Sequence, residues 1–387
     1  MDAEPADWYR SAVTYQLYIR SFADSDGDGL GDIGGVRSRL LYLAALGADA
    51  VWITPWYPSP QVDGGYDVAD HRDVYALIQE AHEAGLKVLL DIVPNHTSDE
   101  HSWFRAARAA PGSAEVESSA RLRPERLHTA FAFEFMRARW HAKELRESAR
   151  AALEAHDSVG APVTWTLSNH DVTRHVTRLG RPQERTGDAD PQEWPEGRTD
   201  LLLGTRRARA AILYVLALPG GVYLYQGEEL GLPEVEDLPE ALLQDPAWER
   251  SGHTQRGRDG CRVPIPWTRG GPSLGFGDAA GWLPQPAGWG DLSVEAEESD
   301  PGSMLSLYRE ALRLRRELPQ LGVGGGRLVW TGEEDEVLGL TRGAGFICML
   351  NTGAVAVRLP PGRVVLSSSP TRGDLLPPDA AAWIVTG

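Results

Sequence analysis

Cysteine is scarce, with Cys261 and Cys348 the only two in 387 residues. Two thiols supply neither a disulfide framework nor a cysteine-based zinc site. Positive charge is also in short supply. Lys and Arg number 38 against 55 Asp and Glu, a net charge of −17. That balance argues against nucleic acid and anionic membrane surfaces as partners, because both recruit clustered Lys and Arg. No run approaches the ~20 apolar residues that span a bilayer. The opening MDAEPADWYR has no basic start and no apolar run, so no signal peptide is expected. Solenoid repeats and low-complexity segments are missing as well. These absences suit a cytoplasmic protein that handles neutral or cationic small molecules.

What is present is ordinary in bulk: 42% hydrophobic and 24% charged residues, as in soluble globular chains. The length allows one large domain and a small one, at a soft prior of ~150 residues per domain. Tryptophan is abundant, at 13. Its faces suit sugar rings, but it also fills large cores, and taken alone the count favours core packing.

Strands and helices alternate in the first third. AVTYQLYIRSF (12–22) reads as a strand, DSDGDGLGDIGG (24–35) as a loop, and VRSRLLYLAALG (36–47) as a helix closed by glycine. ADAVWITPWY (48–57) is a second strand, YALIQEAHEAG (75–85) a helix, and LKVLLDIVPNH (86–96) a third strand. Such apolar strands suit a parallel sheet covered on both faces, and the alternation argues α/β. After position 105 the rhythm weakens. LHTAFAFEF (127–135) is a candidate strand, 141–156 a helix, 163–171 a strand with its loop, 198–220 a long helix and 221–227 another strand. A Gly/Pro/Trp-rich surface segment over roughly 232–300 precedes a periodic helix at 303–318. Residues 319–387 then break into short β runs with glycine turns, an antiparallel β domain following a domain over 1–318.

Three strand ends carry polar clusters: GGYDVAD (64–70), DIVPNHTSDEH (91–101) and LSNHD (167–171). Each alone reads as a capping Asp or a hydrogen-bonded His. Together they supply the residues that the active face of a (β/α)₈ barrel requires at its strand ends. Along with WYRSAVTYQLYIRSFADSDGDGLGDIGG, VWITPWYPSP, LYQGEELGLP and GCRVPIPW, they make the chain resemble the α-amylase superfamily of glycoside hydrolases, in its α-glucosidase and oligo-1,6-glucosidase branch. The resemblance implies a (β/α)₈-type TIM barrel with a C-terminal antiparallel β domain, and activity on short α-linked glucosides. It implies that Tyr66 and Asp67 contact the sugar ring at the scissile bond, that His96 hydrogen-bonds it, and that His170 and Asp171 grip its hydroxyls. Asp171 would be the transition-state stabiliser, and Arg262 a substrate contact near the pocket mouth. These roles fit the chemistry, since a carboxylate favours an oxocarbenium-like centre.

Asp24, Asp26 and Asp28 alternate and Asp32 follows, hard oxygen donors that suit Ca²⁺. An EF-hand is excluded, because its twelfth position here is Gly35 and a strand precedes the loop. The resemblance implies a structural calcium on these four; the other reading is a metal-free acidic turn.

Two motifs are missing. Retaining cleavage uses two carboxyl groups ~5–5.5 Å apart, a nucleophile and an acid/base. In the family they lie in motifs resembling GFRIDV and GEVW, and neither stands intact here. The family's inserted domain and a motif resembling QPDLNW are missing too. AEVE (114–117) is the nearest remnant and would make Glu115 the acid/base; its other reading is an exposed loop glutamate. About six of eight barrel strands are recognisable. The expectation is an α-glucosidase-like protein with weak or no hydrolysis. The alternatives are a non-catalytic sugar-binding relative and a non-functional, internally deleted product.

Overall fold

A computed structural model describes residues 7–55, 75–91, 130–183, 199–322, 326–331 and 336–386. Six short strands form one sheet: β1 (Val13–Leu17), β2 (Ala50–Ile53), β3 (Lys87–Leu90), β4 (Ala130–Phe131), β5 (Val163–Thr166) and β6 (Gly221–Tyr225). Their order is β3-β2-β1-β6-β5-β4, and β2/β3, β4/β5 and β5/β6 pair in parallel. Every residue of β1 and β5 is buried, as apolar strands covered on both faces should be. β3 departs from that expectation. It ends the sheet, its residues are at most half-buried, and Leu90 is exposed.

Helices α1 (Ile33–Ser38), α2 (Leu40–Leu46) and α3 (Tyr75–Glu83) belong to the first third. The single helix expected over 36–47 is two. Asp32 starts α1 early by accepting from the Gly35 N–H, and Arg39 leaves helical geometry at φ −113°, ψ 5°. Gly47 ends α2 in the left-handed region at φ 106°. The strand expected over 127–135 is, within the described residues, only Ala130–Phe131. The Ala132 N–H makes the last bond to Thr164, and Phe133–Met136 turn into helix α4. That places Phe135 and Met136 in the core and leaves Phe133 out. The alternation AFAFEF also fits a helical turn, and tertiary burial chose it.

The chain forms two compact units. One draws on Met1–Thr14, Thr129–Glu234 and Ala296–Gly387, the other on Tyr15–His128 and Val235–Glu295. The first contains α5 (Ala142–Asp157), α6 (His175–Gly180), α7 (Leu201–Ala217) and α8 (Met304–Glu317) along with β4–β6. Asp200 caps α7 by accepting from the Leu203 N–H. Ala208 and Ala210–Ala217 are buried because both faces of α7 are covered. The C-terminal residues supply one cover. β7 (Leu328–Thr331), β8 (Val337–Arg342), β9 (Phe346–Asn351), β11 (Arg363–Ser367) and β13 (Ala380–Val385) form an antiparallel sheet in the order β11-β13-β9-β8-β7. β10 (Val357–Arg358) pairs with β12 (Leu375–Leu376) beside it. The Trp383 indole donates to the Leu213 carbonyl at 2.9 Å. Arg342 donates to Ala217 at 3.1 Å and Arg315 to Gly220 at 2.7 Å. Two cations thus hold carbonyls at and beyond the α7 C-terminus, where the helix dipole favours them.

In the second unit the Trp267 ring is a local hub. Phe22 and Tyr42 meet it edge-on at 5.2 and 5.1 Å, and the Arg39 guanidinium lies over it at 4.3 Å.

Candidate functional site

In the first unit β5 ends at Thr166 and opens into LSNHD before α6. Two small hydrogen-bonded turns hold that loop. Thr166 Oγ1 donates to the Ser168 carbonyl at 2.7 Å, and the Asp171 N–H donates to Asn169 Oδ1 at 2.8 Å. Ser168 and His175 clamp the loop to the helix start. The His175 N–H donates to Ser168 Oγ at 3.0 Å, and that hydroxyl lies 3.0 Å from the His175 ring Nδ1. Burial, then the nearby Arg178 and Arg174 charges, push His175 down to about 3. The ring is therefore neutral at neutral pH, and Nδ1 and the hydroxyl share one hydrogen bond. Arg178 donates to the carbonyls of Leu167 and Met136 from a buried position.

The clamp sets out a pair of unlike side chains. His170 is 6% exposed with Nε2 3.4 Å from Asp171 Oδ2, whereas the Asp171 side chain is 42% exposed. A carboxylate that reaches solvent beside a buried imidazole can accept hydroxyl donors and face a developing positive charge.

β6 is followed by Gln226-Gly227-Glu228-Glu229. Both glutamates are buried, and both are committed to the backbone. Glu228 accepts from the Tyr225 N–H at 3.2 Å and lies 3.4 Å from the Tyr308 hydroxyl, while Glu229 accepts from the Gly227 N–H at 2.9 Å. Desolvation pushes Glu228 up to about 8. The α6 N-terminus is tied to this loop by Arg174, which donates to the Gln226 carbonyl at 2.8 Å and lies over the Tyr225 ring.

Arg262 lies in the second unit and is 4% exposed. Its guanidinium is 3.6 Å from Asp245 and 5.2 Å from the Tyr18 ring centroid. Burial raises Asp245, but hydrogen bonds from Arg258 and Ala247 and the Arg258 and Arg262 charges outweigh it, leaving this carboxyl below its ordinary value. In the same unit the carboxylate oxygens of Asp24, Asp26 and Asp28 lie within 4.8 Å of one another. Asp24 is nearly buried and accepts from the Gly27 and Gly29 N–H groups, while Asp26 and Asp28 are exposed. Asp32 stands apart from this group, as the α1 cap and the acceptor of Ser25. Tyr66, Asp67, His96 and Glu115 lie outside the described residues.

The family model described as α-amylase, catalytic domain, matches residues 16–119 and 123–324. The chain belongs to the α-amylase family. A "Probable alpha-glucosidase" of Rhizobium meliloti (strain 1021) is 27% identical over 513 aligned positions, covering 89% of each chain. "Probable oligo-1,6-glucosidase 2" of Bacillus subtilis (strain 168) is 51% identical over 111 residues, but these are 26% of this chain and 20% of that one. The crystal structure of the α-glucosyl transfer enzyme XgtA is 26% identical, with a TM-score of 0.78 over 97% of this chain and 99% of its own. The fold is accordingly of (β/α)₈ barrel type, with six barrel strands among the described residues and an antiparallel C-terminal sheet. The region matched to the family contains Asp24, Asp26, Asp28, Glu115, His170, Asp171 and Arg262 alike.

Sequence reasoning singled out His170 and Asp171 and missed what holds their loop. Ser168, Arg174, His175 and Arg178 carried no motif-level signal. Glu228 and Glu229 did: two acids directly after an apolar strand are either functional or buried and bonded, and here they are the latter.

Proposed function

We propose that this chain binds short α-glucosides at the His170–Asp171 site and hydrolyses them weakly or not at all. The observation that carries this reading is the contrast between the two strand ends of the first unit. Asp171 offers its carboxylate to solvent, whereas the acids that follow β6 are buried on backbone donors. Asp171 would stabilise the transition state. A covalent mechanism still needs a nucleophile and an acid/base, and the sequence motifs that bear them have no intact counterpart. The alignment with the Rhizobium relative supports this, because it runs for 513 positions against a chain of 387 residues. At 89% of its length, this chain cannot fill all of those positions, so part of the relative has no counterpart here. Tyr66, Asp67, His96 and Arg262 belong to the same reading as sugar contacts, and Glu115 as the one candidate acid/base. Its cytoplasmic location is supported by two buried free thiols, Cys261 and Cys348.

A chromogenic α-glucoside assay with parallel maltose calorimetry tests this. The expected result is maltose binding that Asp171→Ala weakens, with turnover absent or far below the rate normal for α-glucosidases. Turnover at a rate normal for α-glucosidases, abolished by Glu115→Gln, overturns it.

We also propose that Asp24, Asp26 and Asp28 hold Ca²⁺. The donor set fits, being three carboxylates of which two are exposed, on a loop whose left-handed Gly27 and Gly29 curl the chain around them. The ion would supply loop rigidity rather than chemistry. Calcium at 1 mM is expected to raise Tm, by linkage to the folded state. Asp26→Asn with Asp28→Asn should remove the rise, and an unchanged wild-type Tm refutes the site.

A further inference from the structure

We infer that Glu228 is a proton switch behind the His170–Asp171 loop. Protonated, it leaves Arg174 and Arg178 holding backbone carbonyls that fix the loop; ionised, it draws both arginines toward itself and loosens it. What this does to sugar binding rests on the reading of that loop as the glucoside site.

Charges from three elements meet at this one acid. Glu228 is 2% exposed and lies in the turn after β6, beside the fully buried Glu229. From α8, the Tyr308 hydroxyl lies 3.4 Å from its Oε2. Arg174, at the start of α6, and Arg178, within α6, are buried and act on it as charges. Desolvation, with the Glu229 charge added, outweighs these cations and lets the acid keep its proton up to about 8. A carboxyl that titrates so near neutrality changes state under ordinary conditions.

The observed bonds suit the protonated form. Among the described residues Glu228 is bonded to the Tyr225 N–H and the Tyr308 hydroxyl, both neutral donors. The two arginines hold carbonyls. Arg178 donates to Leu167, which opens the LSNHD loop, and to Met136. Arg174 donates to Gln226 at 2.8 Å, and its own N–H donates to Glu234 at 2.9 Å. An arginine bonds a carboxylate more strongly than a neutral carbonyl, so an ionised Glu228 competes with Leu167 and Gln226 for these donors. Loss of the Leu167 bond releases the first residue of the loop. A shift of Arg174 disturbs the start of α6, where the His175 N–H is clamped to Ser168. Glu297, the other acid raised to about 8, accepts from the Leu305 N–H at α8 and faces Glu229, Arg209 and Asp300. It titrates in the same range with no bond to the loop among the described residues.

Amide hydrogen exchange on the full chain tests the switch without a ligand. The Asp171 and His175 amides, which donate to Asn169 Oδ1 and Ser168 Oγ, are the reporters. After correction for intrinsic base catalysis, their exchange is expected to rise about ten-fold from pH 7 to pH 9, with a midpoint near 8. The β13 amides, as the reference for global unfolding, should not rise with them. Glu228→Gln should abolish the rise and Glu297→Gln should keep it. A flat parent profile overturns the proposal, as does an equal rise in β13, or a rise that survives Glu228→Gln or is lost in Glu297→Gln. The parent profile and Glu297→Gln decide the matter even without a folded Glu228 variant. Maltose calorimetry then reads the consequence. Affinity is expected to fall about ten-fold over the same interval in the parent but not in Glu228→Gln, with proton uptake on binding near pH 8 by reciprocity. A loop that opens as expected in a chain that binds no maltose supports the switch and refutes the sugar-site reading alone.

Discussion

Ser168 shows how much one hydroxyl can hold. It receives the His175 N–H and faces the His175 ring Nδ1 at the foot of the loop that presents Asp171. Ser168→Ala would leave two buried polar groups on one residue unmatched, which costs ~1–3 kcal/mol. Chemical denaturation is expected to show that loss, and calorimetry to show weaker maltose binding with it. Glu228 allows a test of opposite sign. Burial holds its folded value near 8, against an ordinary 4.5. The fold therefore favours the protonated form. The stability this confers is whole below the ordinary carboxylate range and is lost as pH rises through about 8. Glu228→Gln mimics the protonated acid, so its Tm should match the parent's near pH 5 and exceed it at pH 9. A variant less stable than the parent at pH 9 would mean that the ionised carboxylate is what Arg174 and Tyr308 hold.

At the scale of elements, the sequence announced what has strong local chemistry. The helices expected over 198–220 and 303–318 are α7 and α8, and the Asp200 and Ser303 side chains cap them. Ser303→Ala is expected to cost ~1 kcal/mol by the same capping rule, readable as a fall in the urea midpoint at unchanged slope. The hidden features depended on distant partners. Arg39 breaks a helical pattern that is continuous on paper, and it lies over a tryptophan more than 200 positions away. AFAFEF satisfies two periodicities until Ala132 completes its bond to Thr164. The site divides in the same way. His170 and Asp171 were legible because residue type and strand-end position coincide. The clamp behind them was not, because Ser and His at a spacing of seven occur everywhere.

For the whole molecule, buried ionisable groups set a pH window. Glu228 and Glu297 are both raised to about 8, chiefly by desolvation, and His175 is depressed to about 3. The depressed histidine favours folding progressively as pH climbs from 3 to its ordinary 6.5, since only the unfolded imidazole takes a proton there. The raised acids act in the reverse direction between 4.5 and 8. Below 6.5 the two trends oppose each other, and above it only the acids still change. Calorimetric scans should therefore show Tm falling from pH 6.5 to pH 8.5, and a rise over that interval would contradict the assignment.

Ser273 and Leu274 both stand in the left-handed region, at φ 43° and 47°, and this bears on how the chain can be engineered. Glycine at 274 would sit without torsional penalty, recovering up to ~1 kcal/mol after its greater freedom when unfolded is counted. The same relaxation would loosen the turn whose Leu274 carbonyl accepts from the Trp267 and Thr268 N–H groups. A hardier protein with a looser segment around Trp267 is the trade to look for.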